Sequence, residues 1–346
     1  MENKSISRRS FVRQSALGAG AVGLGPVRIK DEVQSLPREV VLAAFCNDGL
    51  KTDTSSEMAE LVEEKLQPLL SSKPDIICLP EMFPYMGQVK ENLSSDDQVE
   101  HSKSVLDRFS KFARQHNTYI ICPVASQKDG KNYNSAVLLD RSGDVQGIYR
   151  KIHPTIGEMK AGFLPGESDP PVFKTDFGTI GVQICFDMRW DDGWNRLKTK
   201  GAEIIFWPSA FPGGKLINAM ALQHQVILVS STLKDPARIC DITGEELSKT
   251  GRWQRNWTCS SVNLEKVGLH AWPYVRKFDD ILKKYGPKIH INYLHEEGHA
   301  VIECRSADIL VKDVLDEFEI KTFTDHILNA DKAQKQVIES GIESLK

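Results

Sequence analysis

Short apolar runs alternate with longer stretches of helical spacing along this chain, and this alternation restricts its fold more than any other feature. Residues 40–45, 76–79 and 119–124 are continuous apolar runs, as expected of strands that are buried on both faces. Between them, residues 53–70 and 105–116 place apolar side chains on one side of a helix. Strands that alternate with helices predict a layered α/β domain.

The middle of the chain predicts a mixed sheet rather than a wholly parallel one. Two strand-like runs, 135–139 and 145–149, are joined by a turn-rich segment of the kind found in hairpins. The pattern then predicts further strands at 178–184, 203–207 and 226–230, and helices at 190–200 and 215–224. From about residue 275 the chain is more charged and predicts a helix, two short strands and further helical segments at 311–318 and 324–328.

Composition excludes several classes of protein. The chain has 346 residues, of which 26% are charged, and a formal net charge of -3, so no basic surface for nucleic acid is indicated. No run of about 18 apolar residues is present, so no membrane span is expected. The 7 cysteines include no Cys-x-x-Cys pair, which argues against a zinc site, and the odd number argues against a disulfide scaffold.

The first 35 residues have the character of an export signal. Arg8 and Arg9 precede a weakly apolar stretch at residues 16–27, and this order resembles a bacterial twin-arginine signal. Such a signal predicts export of the folded protein to the periplasm of a bacterium. The alternative is a disordered basic tail on a cytoplasmic protein.

Three segments place a reactive side chain directly after a predicted strand. Glu81 follows residues 76–79, where partial desolvation would raise its pKa towards that of a useful base. Lys151 follows the strand of the hairpin. Cys185 ends an apolar strand at a turn that can expose a nucleophile, and a helix start or a nearby cation would lower the pKa of its thiol. Each residue alone also has an ordinary explanation: a surface carboxylate, a solvated amine or a buried structural thiol.

Together, and in the order Glu, Lys, Cys, these segments resemble the nitrilase superfamily of carbon–nitrogen hydrolases between about residues 39 and 265. Six segments carry the resemblance: Leu79-Pro80-Glu81, Arg150-Lys151-Ile152-His153, Pro165-Gly166, Cys185-Phe186-Asp187, Gly201-Ala202-Glu203 and Trp207-Pro208-Ser209.

The resemblance implies an α-β-β-α sandwich whose protomers commonly pair into αββααββα assemblies, with no cofactor and no metal. It divides the chain into the export signal and linker (1–35), a carbon–nitrogen hydrolase domain (36–270) and a C-terminal extension (271–346). We expect this extension to serve oligomerisation, and the protein to be a homo-oligomer.

The resemblance also implies the role of each site residue. Cys185 would attack a carbonyl carbon and form a thioester, Glu81 would act as the base, and Lys151 would hold the oxyanion with the backbone N–H of Phe186. Members of the family carry a second Glu that helps to position substrate. Our candidate is Glu158, ahead of Glu167, and we expect Trp207 to help position substrate as well.

The residues after the nucleophile indicate which carbon–nitrogen bond is cleaved. True nitrilases have Trp-Glu at this point, whereas Phe186-Asp187 is similar to the amidase and carbamoylase branches, so we expect a small amide or N-carbamoyl substrate and release of ammonia. Three alternatives stay open: a nitrile substrate, a Cys–His hydrolase that uses Cys185 and His224, and an inactive interaction protein of the same fold. The last is suggested by Asp191-Asp192-Gly193, where the family usually has Pro-Glu.

Overall fold

The structure, a computed structural model, describes residues 36–251, 253 and 255–345, so the predicted export signal lies outside the described residues. The α-helices of this part are α1 (Ser55–Leu66), α2 (Ser95–His116), α3 (Ile156–Lys160), α4 (Asp191–Thr199), α5 (Lys215–His224), α6 (Val275–Tyr285), α7 (Val311–Glu317) and α8 (Phe323–Ser340). The strands are β1 (Glu39–Phe45), β2 (Ile76–Cys78), β3 (Tyr119–Lys128), β4 (Lys131–Leu139), β5 (Val145–Arg150), β6 (Val172–Lys174), β7 (Thr179–Val182), β8 (Ile204–Ser209), β9 (Ile227–Thr232), β10 (Arg238–Cys240), β11 (Glu246–Lys249), β12 (Trp257–Asn263), β13 (Lys266–His270), β14 (Ile289–Leu294) and β15 (His299–Cys304).

Two six-stranded sheets form the main body, with strand orders β12-β1-β2-β3-β4-β5 and β11-β10-β9-β8-β7-β6. In the first, β1, β2 and β3 are parallel, and β12, β4 and β5 are added antiparallel. In the second, β7, β8 and β9 are parallel, and β6, β10 and β11 are added antiparallel. The prediction of a mixed sheet, with a hairpin between β4 and β5, is confirmed.

The two sheets pack face to face. Their inner faces share one core, to which Leu42 and Ala44 contribute from β1, and Val182, Phe206 and Val229 from the second sheet. Continuous apolar runs are needed here because these strands are covered on both faces.

Helices cover the outer faces. Met58 of α1 and Phe109 of α2 belong to the core outside the first sheet. Trp194 of α4 and Ile217 of α5 belong to the core outside the second sheet. The expected α-β-β-α sandwich is therefore confirmed.

The C-terminal segment adds a third, smaller sheet with a core of its own to the main body. Its sheet has the order β13-β15-β14 and so includes β13, which precedes residue 271. Phe278 of α6 and Val314 of α7 pack with it in a separate core. None of the residues of α8 is buried.

Some boundaries differ from the prediction. Helix α2 begins at Ser95 rather than near residue 105, because a capping box between Ser94 and Asp97 starts it in a polar stretch that lacks apolar spacing. Strands β6, β10, β11, β12 and β13 were not predicted, and α8 is longer than residues 324–328. Within the described residues, no helix combines the length and apolar character that crossing a membrane requires.

Candidate active site

Glu81 lies three residues beyond the end of β2 and is only 4% exposed. The next residue, Met82, has φ 48°, so the backbone turns sharply there in a left-handed conformation that is uncommon for a residue with a side chain. The Oε2 atom of Glu81 accepts a hydrogen bond of 2.8 Å from the N–H of Ala210, which follows β8. The carboxylate is therefore held by the second sheet although its own strand belongs to the first.

Lys151 follows β5 directly and is almost fully buried, with 1% exposure. Its N–H donates to the carbonyl of Asn134 on the neighbouring strand β4, at 2.9 Å. Its Nζ donates to Glu81 Oε1 at 2.7 Å and to both oxygens of Glu158 at 3.0 and 2.9 Å. This lysine is a buried ion-pair partner and not a solvated charge.

Glu158 completes the buried charge cluster. Thr155 caps α3, and its N–H donates to Glu158 Oε2 at 2.7 Å, so the capping box fixes the carboxylate. The Nδ2 atom of Asn134 donates to both carboxylates, to Glu81 at 2.8 Å and to Glu158 at 2.7 Å. The structure therefore brings Glu81, Lys151 and Glu158 together, with Asn134 between the two acids.

Cys185 lies on a sharp turn just after β7. Its φ of 47° is in the left-handed region, and it is 7% exposed. Such a conformation costs about 1–3 kcal/mol in a residue with a side chain and is found preferentially at functional sites. The indole N–H of Trp207 donates to the Cys185 carbonyl at 3.1 Å and supports the turn from behind.

A fully buried carboxylate, Asp187, ties this turn to the end of β5. It accepts hydrogen bonds from the N–H of Ile184 at 2.8 Å and from the hydroxyl of Tyr149 at 2.7 Å. It also accepts from the N–H of His153 at 2.8 Å and lies 3.0 Å from His153 Nδ1. Asp187 thus connects the segment that carries Lys151 to the segment that carries Cys185.

Glu81, Lys151, Glu158 and Cys185 all line one cavity of about 390 Å³. A cavity of this size suits a small molecule. Among the described residues, the other lining side chains and backbone come from Met82, Tyr85, Met86, Gln98, Asn134, Thr155, Gly157, Ala161, Phe163 and Ala210.

Two residues expected to position substrate, Trp207 and Phe186, have side chains that pack elsewhere and do not line this cavity. Trp207 is fully buried in the outer core of the second sheet and contacts Cys185 only through the carbonyl. Phe186 packs edge-on against Trp190, with ring centroids 5.1 Å apart. The structure thus places Trp207 to hold the turn and not to touch a substrate, because a strand-end aromatic that faces the helices cannot also face the cavity.

Glu167 and His224 also lie outside the cavity. Glu167 is half exposed and forms an ion pair of 2.7 Å with Lys128. His224 is buried at the end of α5, where its ring stacks on Trp194 with centroids 5.9 Å apart. No histidine is among the described residues that line the cavity with Cys185, so a Cys–His pair has no support here.

Burial and charge set the protonation of the site. Burial, reinforced by the charge of Glu81, raises the pKa of the Cys185 thiol to about 12, and Lys151 only partly offsets this. The expectation of a lowered thiol pKa was therefore wrong, because desolvation outweighs the nearby cation. Burial also disfavours charged Lys151, but Glu81 and the other acidic groups outweigh it and raise its pKa. Burial acts to raise the pKa of Glu158, but the positive charge of Lys151 is the main effect that outweighs it, so the pKa is lowered.

Sequence reasoning missed Asn134 and the Met82–Met86 part of the wall. Asn134 could have been noticed because it is a polar residue of β4 that stands just ahead of the apolar run of that strand. The arrangement as a whole supplies a neutral thiol, a carboxylate and a fixed ammonium around a single cavity. These are the groups that a nucleophilic attack with proton transfer requires.

Comparison with known proteins gives the same family. A family model described as Carbon-nitrogen hydrolase matches residues 42–232. The chain is 28% identical over 188 residues to N-carbamoylputrescine amidase of Arabidopsis thaliana, which is 52% of this chain and 61% of that protein. The match thus spans about three fifths of that relative.

Solved structures share the fold. A carbon–nitrogen hydrolase from Helicobacter pylori G27 superposes with a TM-score of 0.60 at 19% identity, over 71% of this chain and 95% of that one. Nit3 of Saccharomyces cerevisiae, a member of branch 10 of the nitrilase superfamily, superposes with a TM-score of 0.56 at 16% identity, over 72% of this chain and 96% of that one.

Proposed function

Because this chain belongs to the carbon–nitrogen hydrolase family, we propose that it hydrolyses a small amide or N-carbamoyl compound through a thioester on Cys185 and releases ammonia. The proposal rests on one observation: Cys185 lines the same cavity as Glu81 and Lys151, which form an ion pair with 2.7 Å between Lys151 Nζ and Glu81 Oε1. The name of the plant relative, an amidase for a carbamoyl compound, supports the same reaction class.

In the proposed reaction, Glu81 accepts the thiol proton while Sγ attacks the carbonyl carbon of the substrate. A base is needed because the raised pKa keeps the thiol protonated at neutral pH. The oxyanion of the tetrahedral intermediate is held by Lys151 and the N–H of Phe186, and one such donor contributes roughly 2.7–4 kcal/mol in comparable sites. Glu81 then returns the proton to the nitrogen, the C–N bond breaks, and ammonia leaves a thioester.

Water completes the cycle. Glu81 takes a proton from the attacking water, which adds to the thioester carbon, and the C–S bond breaks as Cys185 regains its proton. An amide yields a carboxylic acid, and an N-carbamoyl compound yields a carbamate that breaks down to carbon dioxide and an amine. Glu158 and Asn134 act as positioning residues, because their hydrogen bonds hold Lys151 and Glu81 in place.

The first experiment measures ammonia release from a panel of alkyl amides, N-carbamoyl amines and simple nitriles. We expect release by the wild-type protein and none by Cys185→Ala. Lys151→Ala should also abolish release, whereas His224→Ala should leave it nearly intact. Equal release by the wild type and Cys185→Ala would contradict the proposal, and release from nitriles alone would replace it by nitrilase activity.

A further inference from the structure

Several of the residues that line the cavity are apolar or aromatic, and we call this set the apolar wall. It consists of Met82, Tyr85, Met86, Ala161 and Phe163. Met82 and Phe163 are each 5% exposed and form a small core cluster against which Tyr85 packs. Met86 is 42% exposed, so the wall runs from a buried base to an accessible edge.

Several of the polar groups that line the cavity are already occupied as hydrogen-bond donors. The Tyr85 hydroxyl donates to the Gln98 carbonyl at 2.8 Å, and the side-chain amide of Gln98 donates to the Leu93 carbonyl at 3.2 Å. The amide of Asn134 and the N–H of Ala210 donate to the carboxylates of the site. A negatively charged substrate group beside the apolar wall would therefore find these donors engaged.

The charge of the cavity acts in the same direction. Two carboxylates, Glu81 and Glu158, share one ammonium, Lys151, while the thiol of Cys185 is neutral below its raised pKa. The lining thus carries one excess negative charge. A carboxylate on the substrate would lose part of its water and add a like charge to this cavity.

Resting on the proposed function, we propose that the apolar wall selects the substrate class. The enzyme takes amides or N-carbamoyl compounds whose remaining part is apolar, and discriminates against those that carry a carboxylate. The apolar chain lies along the wall, with its reacting carbon at Cys185 and its far end near Met86.

The test compares hexanamide with adipamic acid, in which a carboxylate replaces the terminal methyl group on the same chain. We expect kcat/KM for hexanamide to exceed that for adipamic acid by roughly tenfold, because the carboxylate adds a like charge to a cavity that already carries an excess negative charge, although the accessible edge at Met86 leaves it part of its water. Equal values, or a preference for adipamic acid, would overturn the inference while leaving the proposed function in place. Ammonia from neither compound, nor from any other amide or N-carbamoyl compound, would overturn both.

A variant at the accessible edge tests the cause. Met86→Arg supplies a guanidinium that can pair with the substrate carboxylate, and Met86 takes no part in the chemistry. We expect the hexanamide to adipamic acid ratio to fall by about tenfold or more. The matched control Met86→Leu, which keeps the wall apolar, should leave the ratio unchanged. An unchanged ratio in Met86→Arg, with hexanamide still hydrolysed, would show that charge at the wall does not set the selection.

Discussion

The thiol of Cys185 is set between an acid and a cation that act on its pKa in opposite directions. Burial and the charge of Glu81 raise the pKa to about 12, and Lys151 lowers it by less. The resting thiol is therefore protonated over the physiological range. Reactivity must then depend on removal of the proton during attack, and not on a standing thiolate.

This raised pKa predicts how alkylation of Cys185 by iodoacetamide depends on pH. Well below a pKa of about 12 the thiolate fraction grows tenfold with each pH unit, so the alkylation rate should rise by about that factor per unit between pH 7 and 10. Mass spectrometry of the Cys185 peptide measures the rate, and Cys185→Ala gives the background. A rate that levels off below pH 9 would contradict the raised pKa.

Glu81→Gln separates the two effects of the carboxylate. Loss of the base should lower ammonia release by roughly 100-fold or more. Loss of the negative charge removes one of the causes that raise the thiol pKa. Alkylation of Cys185 should therefore be at least as fast as in the wild type and should reach a given rate at lower pH. Parallel assays of hydrolysis and alkylation measure both. If the two rates fall together, Glu81 acts by supporting the fold of the site.

Two elements meet at the site through Asp187, which joins the end of β5 to the turn after β7. Asp187→Asn would turn a charged acceptor into an amide that faces several donors, including the Tyr149 hydroxyl and two backbone N–H groups. Because a hydrogen bond to a charged group contributes about 1.5–3 kcal/mol, we expect the free energy of unfolding to fall by roughly 3 kcal/mol or more.

Urea unfolding measures this loss, and Tyr149→Phe is the matched control because it removes one donor and keeps the acid. We expect the control to lose roughly 1–3 kcal/mol and to keep most of its hydrolysis. In Asp187→Asn, kcat should fall with the misplaced turn. Unchanged stability in this variant would mean that the two elements do not depend on the carboxylate.

The sequence predicted well those elements whose burial follows from a local pattern of apolar residues. Apolar runs marked β1, β2 and β8. The reactive residues could be found directly after β5 and three residues beyond the ends of β2 and β7. The role of Asn134 could not be predicted, even from its polar position beside the apolar run of β4, because its partners Glu81 and Glu158 lie 53 and 24 residues away in sequence. The sequence at the end of a strand also does not show towards which face of the sheet an aromatic side chain points. Trp207 was therefore expected at the cavity, although it lies in the outer core.

At the scale of the whole molecule, export stays a prediction that rests on Arg8 and Arg9. The double change Arg8→Lys with Arg9→Lys keeps the charge and removes the paired arginines that a twin-arginine signal requires. We expect the variant to accumulate in the cytoplasmic fraction of a bacterial host, whereas the wild type reaches the periplasm. Identical fractionation of both proteins would count against the signal.

Assembly of the chain into a homo-oligomer is also a prediction about the whole molecule. Helix α8 buries none of its 18 residues in its own chain and exposes Ile338 by 83%. Helices in proteins gain most of their stability from tertiary packing, so we expect α8 to pack on a second copy of the chain. A chain that ends at Thr322 should keep its fold, with a melting temperature lowered by only about 4 °C, and should have the particle mass of a monomer in light scattering.

A point variant distinguishes packing of the apolar face from loss of length. Ile338→Glu should weaken assembly and lower the particle mass at low protein concentration, because it places a charge where an apolar contact is expected. Its neighbour Glu339 offers the control, since Glu339→Gln leaves the apolar face intact and should keep the wild-type mass. If the shortened chain and Ile338→Glu both retain the wild-type mass, α8 takes no part in assembly, and the predicted oligomer must form through the main body.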